Sequence, residues 1–212
     1  MGIRKQVVAI ALLVAFSSAT AENSNYKHLG ERPASGDVKT AFYTFRYEAP
    51  SQTYDSIEWN AYRDKSEKRN SIMVTGLSGY DTYALSVLYK GRATHGQSAL
   101  GFAKEKYPSL VFEEGPNPSC VNTPLDRPFQ LDGRMVNLMA MCIEPVSSAA
   151  YELSLSWQSL ILAMSSIDQV TKESEACAAA KAADPSERCP DRLGSYAKSF
   201  RTFISSFAMS GK

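Results

Sequence analysis

Met135-Val136-Asn137-Leu138-Met139-Ala140-Met141-Cys142-Ile143, followed by Tyr151-Glu152-Leu153-Ser154-Leu155-Ser156-Trp157, is the stretch whose reading decides the fold. The first segment is apolar on both faces apart from Asn137, the pattern of a central strand covered on each side. The second alternates apolar with polar residues at period two, so it buries one face. Pro145, Ser147 and Ser148 lie between them. The pair reads as an antiparallel hairpin with Cys142 inside the sheet.

Period-two alternation extends upstream. Ala41, Tyr43, Phe45 and Tyr47 share one strand face, and Pro50 ends that strand. Ile57, Trp59 and Ala61 make a second strand, and Ile72 to Thr75 a short third. Asp64 to Asn70 is a charged, solvated turn, and Gly76 to Asp81 is a second turn. Tyr83, Leu85, Val87 and Tyr89 alternate again. Thr94 with Gln97 three residues on has the spacing of a capping box, in which each side chain satisfies a main-chain donor of the other residue. The spacing predicts a short helix with Ala99, Phe102 and Ala103 inward, stopped by Pro108. Leu110 to Phe112 could form a short strand. Glu113 to Arg127, with Pro116, Pro118 and Pro124, reads as a long irregular loop tied down by Cys120.

Two helices follow the hairpin. Leu160, Ala163, Met164, Ile167 and Val170 recur at helical spacing, and that helix could run to Ala182. Leu193, Tyr196, Ala197, Phe200, Phe203, Ile204 and Phe207 form an unbroken stripe on the last one. The polar face of this helix carries only Arg192, Lys198 and Arg201, too few cations for a membrane-surface helix, so the stripe is expected to cover the sheet. The fold class is therefore α+β, an antiparallel sheet covered by helices and closed by a C-terminal amphipathic helix.

The N-terminus sets the compartment. Arg4 and Lys5 precede ten apolar residues, Val7 to Phe16, and then Ala19-Thr20-Ala21. That is the layout of a cleavable secretory signal. The run is half of the roughly 20 residues that a spanning helix needs. Residues 1–21 are read as the signal, 22–40 as an extended polar leader, and 41–212 as one domain. No later segment is long and apolar enough to span a bilayer, and no cysteine follows the apolar run closely enough for a lipid anchor. There is no Asn-x-Ser/Thr site with x other than Pro, which favours a bacterial periplasmic or secreted location.

Cleavage would leave 21 Lys and Arg against 22 Asp and Glu. Such a balance gives no electrostatic reason to seek nucleic acid. The four cysteines, Cys120, Cys142, Cys177 and Cys189, suggest two disulfides in an exported chain. Three pairings exist. The sequential one, Cys120–Cys142 and Cys177–Cys189, is favoured because the second pair flanks the short polar hinge 182–188. No Cys-x-x-Cys is present and no His lies near a Cys, so no metal is expected.

The order of strands, short helix, antiparallel strands and a closing helix ending Phe200-Arg201-Thr202-Phe203-Ile204-Ser205-Ser206-Phe207 resembles the Mog1/PsbP-like α/β/α sandwich, over roughly residues 41–209. Residues 160–189 depart from it as an extra helix and hinge. The resemblance implies a role in binding or assembly and carries no catalytic residue.

Candidate chemistry is sparse. The histidines are His28 and His95. His95 and Ser98, three apart in the capped helix, could share a face and activate a hydroxyl. No orienting acid is evident, and polar groups in a first helical turn commonly satisfy main-chain amides. Gly76-Leu77-Ser78-Gly79 lacks the nucleophile-elbow spacing. Glu113 and Glu114 could pair with Glu48 or Glu58 as glycosidase carboxylates, although isolated acids are usually surface residues. Asp184 to Asp191 is too sparse for calcium, and no phosphate-binding loop is present. Tyr80, Tyr83 and Tyr89 read as half-buried strand tyrosines.

No catalytic, metal or cofactor residue is therefore assigned. The expected function is that of an exported, non-enzymatic protein that binds another protein, such as an immunity protein or inhibitor. The loop 113–127 and the turn 64–70 are the candidate recognition surfaces. A hydrolase using His95 and Ser98, and a small-ligand carrier with a pocket between the sheet and the last helix, are the alternatives.

Overall fold

A computed structural model of the chain describes residues 26–31, 35–48, 50, 56–64, 72–78, 81–131, 135–159 and 167–210. In chain order its strands are β1 (Tyr26–Glu31), β2 (Ser35–Lys39), β3 (Tyr43–Glu48), β4 (Ser56–Asp64), β5 (Ile72–Ser78) and β6 (Asp81–Arg92). Helix α1 (Ala99–Lys106) follows, then β7 (Glu113–Glu114), β8 (Cys120–Asn122), β9 (Phe129–Leu131), β10 (Met135–Ile143) and β11 (Ala149–Ser159). The chain ends with α2 (Ile167–Ala183), α3 (Arg192–Ser206) and β12 (Ala208–Met209).

Among the described residues, nine strands form one antiparallel sheet in the order β1-β4-β5-β6-β11-β10-β8-β7, with β9 pairing the start of β10. The expected hairpin is present: β10 and β11 pair without interruption from Val136↔Trp157 to Ile143↔Ala150. β10 is central, with β11 on one side and β8 and β9 on the other. Its side chains are buried on both faces from Asn137 to Cys142, as its apolar pattern requires. A smaller sheet, β12-β3-β2, is not hydrogen-bonded to the large one.

Alternation sorts the side chains onto two faces. On one, Leu85 and Val87 of β6, Leu138 and Ala140 of β10 and Tyr151, Leu153, Leu155 and Trp157 of β11 meet α3 and the small sheet. Helix α3 contributes Leu193, Tyr196, Phe200, Phe203 and Ile204, and the small sheet Val38, Tyr43, Phe45 and Tyr47. Each large side chain so buried stabilises the fold by about 1.5–3 kcal/mol. Trp157 stacks on Tyr196 with ring centroids 4.5 Å apart, and Phe203 meets Phe45 edge-on at 4.8 Å. On the other face, Val121, Met139, Met141 and Ala150 pack against Phe102 and Ala103 of α1.

Hydrogen bonds hold the small sheet to α3. Ser199 Oγ donates to the Glu48 carbonyl at 2.5 Å, and Ser206 Oγ accepts from Arg46 N at 2.9 Å. Asp191 caps α3, accepting from Gly194 N at 2.8 Å. Both disulfides join the expected partners, Cys120 to Cys142 and Cys177 to Cys189. The first links directly opposed residues of β8 and β10. The second ties α2 to the segment before α3, where Glu173 also accepts from Arg192 N at 3.0 Å and ion-pairs with its guanidinium at 3.0 Å.

Several expectations change. The stretch 22–40, read as a leader, contains β1 and β2, each paired into a sheet. Gly76 to Ser78, read as part of a turn, continue β5. Leu110 to Phe112 form no strand, whereas the supposed loop 113–127 contains β7 and β8. Prolines mark the breaks between such short strands and hide the two or three paired residues between them. Helix α1 starts at Ala99 with Ser98 as its cap, and Thr94 lies outside it. The Gln97 side chain does accept from Thr94 N at 3.0 Å, but within a turn rather than at a helix end. The signal segment 1–21, residues 65–70 of the charged turn, Tyr80 and the helix start at 160–166 lie outside the described residues.

Candidate functional site

Residues 98–100 and 112–121 line a concave surface at the edge of the large sheet. Between the first turn of α1 and residues 112–121 lies a groove of about 810 Å3. Phe112 is buried at its base, Leu100 is an exposed apolar residue on its helix wall, and Glu113 and Glu114 stand exposed along β7. Pro116 and Pro118 stiffen the opposite wall.

Three anchors fix that wall. The Cys120–Cys142 disulfide clamps β8 to the central strand. Asn117 donates through Nδ2 to the carbonyls of Ile204, at 3.1 Å, and Phe207, at 2.7 Å, closing the C-terminal end of α3. Its Oδ1 accepts from Ser119 N at 3.0 Å. At Gly115, a Cβ would stand 2.3 Å from Asn122 Oδ1, so any larger residue there would force the Asn122 amide to move. Asn122 is 1% exposed, and its Oδ1 has no hydrogen-bond donor among the described residues.

A second cluster lies at the other end of α1. Lys90 lies two residues beyond Leu88, the partner of Glu152, and so on the same sheet face, and a β-bulge with Gly91 at φ +101° follows it. Lys90 Nζ stands 2.9 Å from Glu152 Oε2 and donates to Tyr107 OH at 3.0 Å, while Tyr107 OH donates to Glu152 Oε2. Burial alone would lower the Lys90 pKa, but the hydrogen bonds to Tyr107 and Glu152 and the carboxylate charge together raise it above 10.5. Burial first, and then the bond to Glu152, raises the Tyr107 pKa. Tyr107 is the C-cap of α1, so this cluster docks the helix on the sheet through a buried carboxylate. Glu152 reads in sequence as an outward polar residue of an alternating strand.

His95 and Ser98 do not share a helix. His95 sits exposed in the turn before α1, and Ser98 Oγ accepts from Gly101 N at 3.1 Å as the cap. Glu113 and Glu114 lie on the large sheet and Glu48 on the small one, so the structure does not pair them; the Glu58 side chain is outside the described residues. The interface between the large sheet and α3, where a carrier's pocket was considered, is occupied by the Trp157, Tyr196, Phe200 and Phe203 side chains, each at most 2% exposed. Tyr83 is buried and Tyr89 half-buried, as strand tyrosines. Among the described residues, no group of three or more His, Cys, Asp or Glu could hold a metal ion, and no helix is long and apolar enough to cross a membrane.

The chain matches no family model, no curated protein and no solved structure. Its fold class is α+β with an antiparallel sheet. The two disulfides point to an oxidising, extracytoplasmic setting.

Proposed function

We propose that this chain is exported by cleavage after Ala21, matures in the periplasm or outside the cell, and acts by binding another protein, as an immunity protein or inhibitor does. The groove of about 810 Å3, walled by a segment pinned by Cys120 and Asn117, is the observation that carries this reading. A recognition surface held rigid before binding loses less entropy on association than a mobile one. A pinned concave wall on a sheet edge suits a protein ligand better than it suits catalysis, since the polar groups near it serve caps and helix docking.

The test has two arms. Mass spectrometry of the native protein is expected to find Glu22 at the N-terminus and no free thiol. Cross-linking in envelope extract is expected to join one protein to residues 98–121 in a complex that survives washing. An intact Met1 with reduced cysteines would overturn the export reading. A purified hydrolytic activity abolished by His95→Ala in a folded protein would overturn the binding reading.

A further inference from the structure

The nine-stranded sheet ends at β7, and among the described residues no strand lies on its outer side. Among the described residues, the main chain from Val111 to Pro116 makes no hydrogen bond to other main chain beyond the β7–β8 pairing. Its outward amides and carbonyls are therefore available to a further strand. Strands of other proteins add at such edges, drawing affinity from the main chain and selectivity from alternate side chains.

The side chains around the edge say which strand would fit. Glu113 and Glu114 are exposed, neither makes an ion pair or side-chain hydrogen bond among the described residues, and no Lys or Arg lines the groove. Successive strand residues face opposite sides of a sheet, so one carboxylate stands on each side of the edge. An incoming strand would place side chains beside both. Cations there are attracted and anions repelled. Exposed Leu100 and buried Phe112 offer an apolar floor beside the carboxylates.

Charged residues on a short edge also protect a sheet from pairing with its own kind. Here that argument selects the occupant. Two copies meeting edge to edge at β7 would set Glu against Glu, which disfavours a second copy of this chain. We propose that the groove receives an extended segment of the partner protein carrying Lys or Arg, added as a strand beside β7. This rests on the reading of the chain as a protein-binding protein and names the chemistry of what it binds.

The test uses the full mature chain and a fluorescently labelled peptide of alternating Val and Lys, with a Val-Glu peptide as control. Anisotropy is expected to show binding of the first and not the second. Glu113→Lys combined with Glu114→Lys changes only exposed side chains and is expected to weaken binding tenfold or more, while the Gln double variant gives a smaller loss. Hydrogen exchange at residues 113–115 is expected to slow when the Val-Lys peptide is present. Equal binding of both peptides, or binding untouched by the double reversal, would overturn the proposal. So would sedimentation showing a dimer that the double reversal dissociates, because a second copy would then be the occupant. If an envelope protein cross-links equally well to the wild type and to the double reversal, this assignment falls and the protein-binding reading stands. If neither peptide nor envelope protein binds, both fall.

Discussion

Glu152 is 6% exposed and sits in the register row Leu88–Glu152–Met141, between apolar neighbours. An ionised carboxylate there persists only with partners, and Lys90 and Tyr107 supply them. Tyr107→Phe keeps the ring and removes one donor. The expected cost is about 1–3 kcal/mol, read from urea denaturation midpoints near neutral pH. The same variant tests the pH dependence. Lys90 and Tyr107 both have folded pKa values above their ordinary 10.5 and 10.0. Each then contributes stability that is complete below its ordinary value and is lost as pH climbs through the raised one, because the folded state holds its proton longer. Stability should fall as pH rises past 10.0, and Tyr107→Phe should make that fall shallower. Equal alkaline slopes in wild type and variant would count against this coupling. None of this network was readable from sequence. Period two marks Glu152 as outward, and its burial comes from a helix end brought there by tertiary packing.

The helices and strands differ in how plainly the chain declares them. The stripe from Leu193 to Phe207 was legible because seven apolar residues at helical spacing have no other way to be buried together. The hairpin of β10 and β11 was legible for the same reason at period two. Strands β7 and β8 were not, because two or three residues carry too little period to register, and their pairing is set by Cys120 facing Cys142 across the sheet. The start of α1 was misplaced because Thr94–Gln97 has the capping spacing while Ser98 makes the cap. Of the candidate site, sequence located the segment 113–127 and its tethering cysteine but not the groove, which needs α1 set beside that segment. Two substitutions test these elements. Ser98→Ala removes the bond to Gly101 N and is expected to cost about 1 kcal/mol. Phe203→Ala empties a site shared by α3 and Phe45 and is expected to cost about 3–5 kcal/mol. Denaturant midpoints distinguish the two. A loss under 1 kcal/mol for Phe203→Ala would mean that the small sheet does not depend on α3.

For the molecule as a whole, the two disulfides decide in which compartment the fold is secure. They span sequence separations of 22 and 12 residues. Restricting the unfolded chain in loops of that size is worth about 3 kcal/mol each in the chain-entropy picture. Domains are typically stable by only about 5–15 kcal/mol, so losing about 6 kcal/mol removes much or all of the margin. The two bonds do not act on the same region. Cys120–Cys142 reinforces a β8–β10 pairing that already has its own hydrogen bonds and the Asn117 anchor. Cys177–Cys189 holds α2, whose buried residues among those described are Val170 and Cys177 itself, with the Glu173–Arg192 ion pair as a further tie. Replacing Cys177 and Cys189 by Ser should therefore loosen α2 first, seen as fast amide exchange over 167–183 while β10 and β11 stay protected. Replacing Cys120 and Cys142 should lower the midpoint for the whole sheet and speed exchange in residues 112–121 together. Reduction of the wild type should combine both effects and leave it partly unfolded at physiological temperature. If the reduced protein kept its oxidised midpoint to within about 1 kcal/mol, the staples would not hold the fold, and its need for an oxidising compartment would vanish with them.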